Sequence, residues 1–300
     1  MHHRFVPIAL AGLLASCSSP AEKPKDKPDT LVIGGYDASG QTANLYEMPT
    51  PNELFQIVRE MSGEGQKRMM SPAKEVDRYV TTPKRALNFG VYATDLVYAS
   101  SYKITSEVVR YYLTCKKLGD ELGLSGSFSD GDFTRLERNL THGDSLDVIS
   151  NDAYERAYRK MQDDQMGPTL SMVVAGGWVE SMHLVMRQVL HFDPADPLVV
   201  RVAEQKVSLD HLIDMMEAYK SDASVTAMRD QLIKIRDIYD QFPVVRSEHK
   251  GASPSGRQVL GDDITIILTP EGFDQLSSAV EALREQIIQP EDQSAAPSHS

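Results

Sequence analysis

Residues 167–191 read GPTLSMVVAGGWVESMHLVMRQVLH, and the distribution of apolar side chains in this stretch decides the fold. From Met172 to Val179 the sequence is apolar on every side of a helix, whereas a surface helix carries one apolar stripe. The pattern therefore predicts a helix buried at the centre of a larger helical body. Glu180 and His183 argue against a lone membrane span. Gly176 and Gly177 each cost about 1 kcal/mol relative to alanine in a helix interior, so something must offset them. Close approach of a neighbouring helix is the commoner use of such glycines and the favoured reading; a ligand seated against the bare backbone is the alternative.

Outward from this element, further helical patterns occupy residues 51–62, 83–102, 104–122, 130–141, 144–163, 198–219, 223–241 and 270–288. Thr50-Pro51-Asn52-Glu53 is a capping box with proline at the first helical position, and Thr82-Pro83 and Thr269-Pro270 repeat the threonine cap. Val225, Met228, Leu232, Ile235, Tyr239 and Phe242 share one helix face. A second face holds Phe273, Leu276, Val280, Leu283 and Ile287. Val259 to Leu268 breaks the helical period with a β-branched run, Ile264-Thr265-Ile266-Ile267, and Val244-Val245 precedes it across a Gly-, Ser- and Pro-rich loop. No side-chain pattern recurs at a fixed period, which excludes a regular solenoid. The expectation is a mainly α protein: an irregular multi-helix bundle of helical hairpins with a small β-hairpin near residues 244–268.

The 300 residues carry 31 Lys and Arg against 43 Asp and Glu, a net charge of -12. Such a body repels phosphate backbones, whose binding needs clustered basic residues, and Lys84-Arg85 and Lys116-Lys117 never grow into a stripe. Nucleic acid is not an expected partner.

The first sixteen residues have the form of an export signal, with Arg4 as the positive end and Phe5 to Ala15 as an apolar run too short to span a bilayer. The run ends in Leu14-Ala15-Ser16-Cys17, which resembles the lipobox of bacterial lipoproteins. That resemblance implies a diacylglyceryl group on the Cys17 sulfur, cleavage before Cys17 and acylation of the new amino terminus, an anchor much firmer than a single acyl chain. Ser18 in place of aspartate points to the outer membrane by the enteric sorting rule. With Cys17 so used, Cys115 is left alone on the seam Val108, Tyr111, Cys115, Leu118, Leu122 and reads as a buried, inert thiol. The organisation expected is a signal peptide at 1–16, a flexible tether at 17–48, one helical domain at 49–289 and a disordered tail at 290–300. Within the tether, Leu31-Val32-Ile33 could add a strand at a sheet edge.

Motifs for nucleophilic, nucleotide or metal chemistry are lacking in the sequence: there is no Gly-x-Ser-x-Gly elbow, no phosphate loop and no His-Glu-x-x-His. Glu180-Ser-Met-His183 is half of a di-iron carboxylate motif without its second half, so a hydrogen-bonded histidine at a helix contact is favoured over a ligand. Ser129-Asp130-Gly131-Asp132 fits a helix N-cap better than a calcium loop. Five tyrosines, at 92, 98, 102, 111 and 112, crowd one region, and Asn88, Tyr92, Asp95, Ala99 and Tyr102 share a helical stripe. A polar network that fixes helix packing is the favoured reading of that stripe, with Asp95 half-buried beside phenol hydroxyls. The functional alternative is a ligand pocket in which Tyr92, Asp95, Tyr102, Trp178, Glu180 and His183 converge. No enzyme, cofactor or metal is expected.

Four segments, ALNFGVYATDLVYAS (86–100), GDSLDVISNDAYE (143–155), VVAGGWVESMHL (173–184) and ITIILTPEGFDQL (264–276), look like parts of a set of uncharacterised envelope lipoproteins of Bacteroidota. The similarity spans about 50–289 and rests most on the Gly-Gly-Trp-x-Glu and Gly-Val-Tyr-x-x-Asp-Leu-x-Tyr-Ala phrases. It implies an envelope address and a helical body, and it brings no catalytic residues. The function expected is that of a lipid-anchored interaction or scaffold component of an envelope complex, bound to the bilayer through acylated Cys17 and to an envelope protein partner. The alternative is a small-molecule-binding lipoprotein using the Tyr, Trp and Asp pocket.

Overall fold

The computed structural model describes residues 32–33, 46–47, 66–140, 146–248 and 262–291, all within one compact unit, Leu31–Ser300. The signal peptide, Cys17, most of the tether and the helix expected at 51–62 lie outside the described residues. The protein is mainly α. Among the described residues there are eight α-helices: α1 (Thr82–Ser101), α2 (Thr105–Glu121), α3 (Asp130–Asn139), α4 (Leu146–Asp163), α5 (Gly167–Gln188), α6 (Pro197–Glu217), α7 (Ala223–Tyr239) and α8 (Pro270–Ile288). Two short 3-10 turns, Lys67–Met69 and Ala73–Arg78, precede α1.

The quoted stretch is the central helix. α5 is buried continuously from Leu170 to Met186, and α1 is buried continuously from Ala86 to Ser100. These two helices share the most extensive interface in the fold, and α2, α4, α6 and α8 wrap around them. Their closeness requires glycine. A Cβ on Gly90 would collide with the Val173 carbonyl, and one on Gly176 with the Leu87 carbonyl. Thr94 lies in the same crossing and donates its hydroxyl to Gly90 O at 3.0 Å and toward Gly177 O at 3.3 Å. The glycine pair is thus a packing device, as the favoured reading has it.

Tight turns make the helical hairpins. Lys103 (φ 53°) and Gln165 (φ 56°) adopt left-handed backbone, letting Ile104 N–H return to Ala99 O and Met166 N–H to Met161 O at 2.8 and 2.7 Å. At helix starts, Ser129, Asp196, Asp222 and Thr269 cap α3, α6, α7 and α8 with their side-chain oxygens. The expected Thr82 cap is corrected: Thr82 lies inside the first turn of α1, and the N-cap residue, Thr81, makes no side-chain cap. Glu291 replaces it, accepting the Val80 and Thr81 N–H groups at 2.6 and 2.9 Å and the Thr81 hydroxyl at 2.5 Å. Burial opposes ionisation of Glu291, but these hydrogen bonds outweigh it and hold the carboxyl below its usual range. Glu291 belongs to the segment read as tail in sequence; residues beyond it lie outside the described residues.

The β-hairpin forms where the helical period fails. Val244–Glu248 pairs antiparallel with Asp262–Ile266 in the register Val244↔Ile266 to Glu248↔Asp262, and the second of these strands runs against α6. Val32–Ile33 pairs antiparallel with Tyr46–Glu47, so the apolar run in the expected tether does form a two-residue strand.

Candidate functional site

The chain from Gln66 to Pro72 crosses the helical core as a strap, held by side chains from four helices, three of which bind its backbone. From α1, Tyr98 accepts the Gln66 N–H at 2.8 Å, Asp95 Oδ2 accepts the Ser71 N–H at 2.9 Å, and Tyr92 donates its hydroxyl to Pro72 O at 3.1 Å. From α2, Tyr111 donates to Ser71 O at 2.5 Å. From α5, His183 Nε2 donates to Met69 O at 3.0 Å, and from α8, Arg284 Nη2 donates to Ser71 Oγ at 2.9 Å. The strap's own 3-10 turn pairs Met69 N–H with Gln66 O and Met70 N–H with Lys67 O, and the helices supply partners for its other buried peptide groups.

Beneath the strap lies a buried ionic cluster. Glu180 accepts from Arg284 Nε and Nη2 at 2.6 and 2.9 Å, a bidentate pair in which the two side chains are 0% and 8% exposed. Burial opposes the Arg284 charge, but Glu180 outweighs it and pushes the guanidinium higher still. Asp95 is fully buried beside this pair. Burial, then the neighbouring Glu180 charge, drives its carboxyl well above the usual carboxylate range against the pull of Arg284. One turn along α5, His183 Nδ1 meets Glu281 Oε1 at 2.6 Å. Burial works against the Glu281 charge, and the His183 contact prevails, holding that carboxyl low.

Four of the six residues expected to converge do so. Tyr92, Asp95, Glu180 and His183 meet around the strap, whose peptide groups take the positions a ligand's polar atoms would need. Asp95 is wholly rather than half buried, and the nearby phenols are bonded to the strap's carbonyls rather than to its carboxylate. Tyr102 stands at the end of α1 with its ring 4.6 Å from Tyr98, and burial, with Tyr98 adding, pushes its phenol up to about 12. Trp178 is fully buried in α5, and its indole N–H has no hydrogen-bond partner among the described residues. Sequence reading missed Arg284 as a member of the cluster. Its signal was an arginine four residues after Val280 on the apolar face of α8. Tyr98 and Tyr111 were within the tyrosine-rich region but outside the chosen set.

Elsewhere, Cys115 is fully buried and burial raises its thiol, which fits an inert role. Asp132 caps α3 with Ser129 and binds Arg156 at 2.5 Å, a structural role. Among the described residues, no group of His, Cys, Asp and Glu is arranged to hold a metal ion. No described helix is long and apolar enough to cross a membrane.

A second feature lies on the surface, where α6 and the β-hairpin enclose an open groove of about 490 Å³. Val199, Val200, Ala203 and Val207 form one wall, and Val244 and Ile266 to Leu268 the other. Val200, Val207, Val244 and Ile267 are exposed at 40%, 57%, 51% and 39%. On the polar edge, Lys206 Nζ lies 2.8 Å from Asp210 and 3.1 Å from Asp240. No protein-family model, curated protein or solved structure matches the chain.

Proposed function

We propose that this chain is a lipid-anchored interaction component of a bacterial envelope assembly, fixed to the outer membrane through acylated Cys17 and docking a protein partner in the groove between α6 and the β-hairpin. The groove carries the reading: four large aliphatic side chains stay in water along one continuous feature, where an isolated monomer gains by burying them. Its walls of Val199, Val200, Ala203, Val207, Val244 and Ile267 suit an apolar partner surface. The lipobox resemblance supports the anchor, and a tethered body meets neighbouring envelope components at raised local concentration. The contrasting reading, a small molecule seated among Tyr92, Asp95, Tyr102, Trp178, Glu180 and His183, requires that ligand to displace the strap and break the side-chain hydrogen bonds that hold it.

A photo-crosslinking residue at Val207, compared with one at exposed Glu137 on α3, tests this in native membranes. A discrete crosslinked partner from Val207 alone is expected. Crosslinks that are absent, or equal from both positions, contradict it.

A further inference from the structure

The two oxygens of Asp95 are unequal. Oδ2 accepts the strap's Ser71 N–H, while Oδ1 is buried with no donor among the described residues. The Glu180 carboxylate faces Asp95 within hydrogen-bonding reach and has each oxygen on an Arg284 nitrogen. Tyr92 and Tyr98 approach from α1, Tyr111 and Cys115 from α2, His183 from α5 and Glu281 from α8. The phenols are spent on the strap, and His183 and Glu281 bind each other. The strap contributes a peptide N–H and the Ser71 hydroxyl, both neutral. Among the described residues, Arg284 is therefore the cation that reaches the pair. Two ionised carboxylates against one guanidinium would leave a net negative charge in a fully buried site, which is prohibitive. One proton removes it and supplies the donor that Oδ1 lacks. It resides on Asp95, because two guanidinium N–H groups stabilise Glu180 as the anion, whereas a single amide does so for Asp95.

We propose that a single proton, carried on Asp95 Oδ1 and donated to Glu180, latches the strap Gln66–Pro72 onto the helical core, so that opening of the strap and loss of that proton are one event. When the strap lifts, Asp95 meets water and returns to the ordinary carboxylate range near about 4. The closed form then binds one more proton than the open form. Closure is fully favoured below that range and is weakened as pH rises, by up to about tenfold per unit, until the pKa of the closed site is passed.

Lys67 and Arg68 are exposed on the strap and report its opening, since a protease must draw several residues free to cut there. Tryptic cleavage of the full chain at these two residues, followed from about pH 6 to 9 and normalised to an unstructured peptide of the same sequence, is the test. In the wild type the normalised rate is expected to climb with pH. In Asp95→Asn, whose amide keeps an acceptor for Ser71 and a fixed donor for Glu180, it is expected to stay flat. A flat wild-type profile, or an Asp95→Asn profile that climbs in parallel, overturns the latch. Infrared spectroscopy of the wild type is independent of any variant's folding. A protonated carboxyl band at neutral pH is expected, lost in Glu180→Gln because Arg284 then ionises Asp95. A wild type without that band overturns the proposal.

Discussion

Glu180 on α5 and Arg284 on α8, 104 residues apart in sequence, meet in a bidentate ion pair buried under the strap. The pair is not symmetric in its surroundings, because Asp95 stands ready as a second counterion for Arg284 while, among the described residues, no second cation stands ready for Glu180. Removing one partner of a buried pair costs roughly 3–5 kcal/mol when the survivor is left uncompensated. Arg284→Met is therefore expected to destabilise by about that amount in urea titration. Glu180→Gln is expected to cost clearly less, since Asp95 ionises to take its place.

The crossing of α1 and α5 gives a second expectation. Alanine favours helix over glycine by about 1 kcal/mol, but at Gly176 its methyl would strike the Leu87 carbonyl. Gly176→Ala is expected to lower stability by roughly 2–3 kcal/mol, the scale of an overpacked core. Gly131→Ala on α3, where the nearest atom to an added Cβ is Ser129 Oγ at 3.5 Å, is expected to be neutral or mildly stabilising. Thermal unfolding of the two variants in parallel checks the contrast.

Glu291 ties the amino end of α1 to the chain beyond α8. Its carboxyl titrates below the usual range when folded, so its contribution is present above the ordinary glutamate pKa and is lost as pH falls through the lower folded value. Glu291→Ala is expected to cost about 1 kcal/mol at neutral pH, as for other lost caps, and little in strong acid. Urea midpoints at neutral and acid pH measure the difference.

Cys115 is expected to resist thiol reagents in the native protein and to react at once after denaturation, because its sulfur is buried and its thiolate disfavoured. Fast labelling of the native state would place this residue outside the core.

The helices were legible because their apolar spacing and caps are strong local signals: Thr269-Pro270 opens α8 where expected, and the all-round apolar face of α5 does mark the centre. α1 is buried to the same degree, yet Asn88, Thr94, Asp95 and Ser100 interrupt its apolar run. Several of their polar groups find distant partners, such as Ile287 O, 3.0 Å from Asn88 Nδ2, and no local pattern encodes such a partner. The same reason hid the strap. Gln66–Pro72 has neither helical nor strand periodicity, and its order comes from side chains up to 213 residues away. Within the candidate site, residue types were readable but their object was not, since aromatic and acidic groups converge as readily on a peptide as on a ligand.

The chain's own strap fills the cluster that reads as a ligand pocket. Native-state hydrogen exchange of the Ser71 amide tests it most directly. Protection comparable to core amides of α1 and α5 is predicted, whereas exchange at the rate of an unstructured loop would contradict the account.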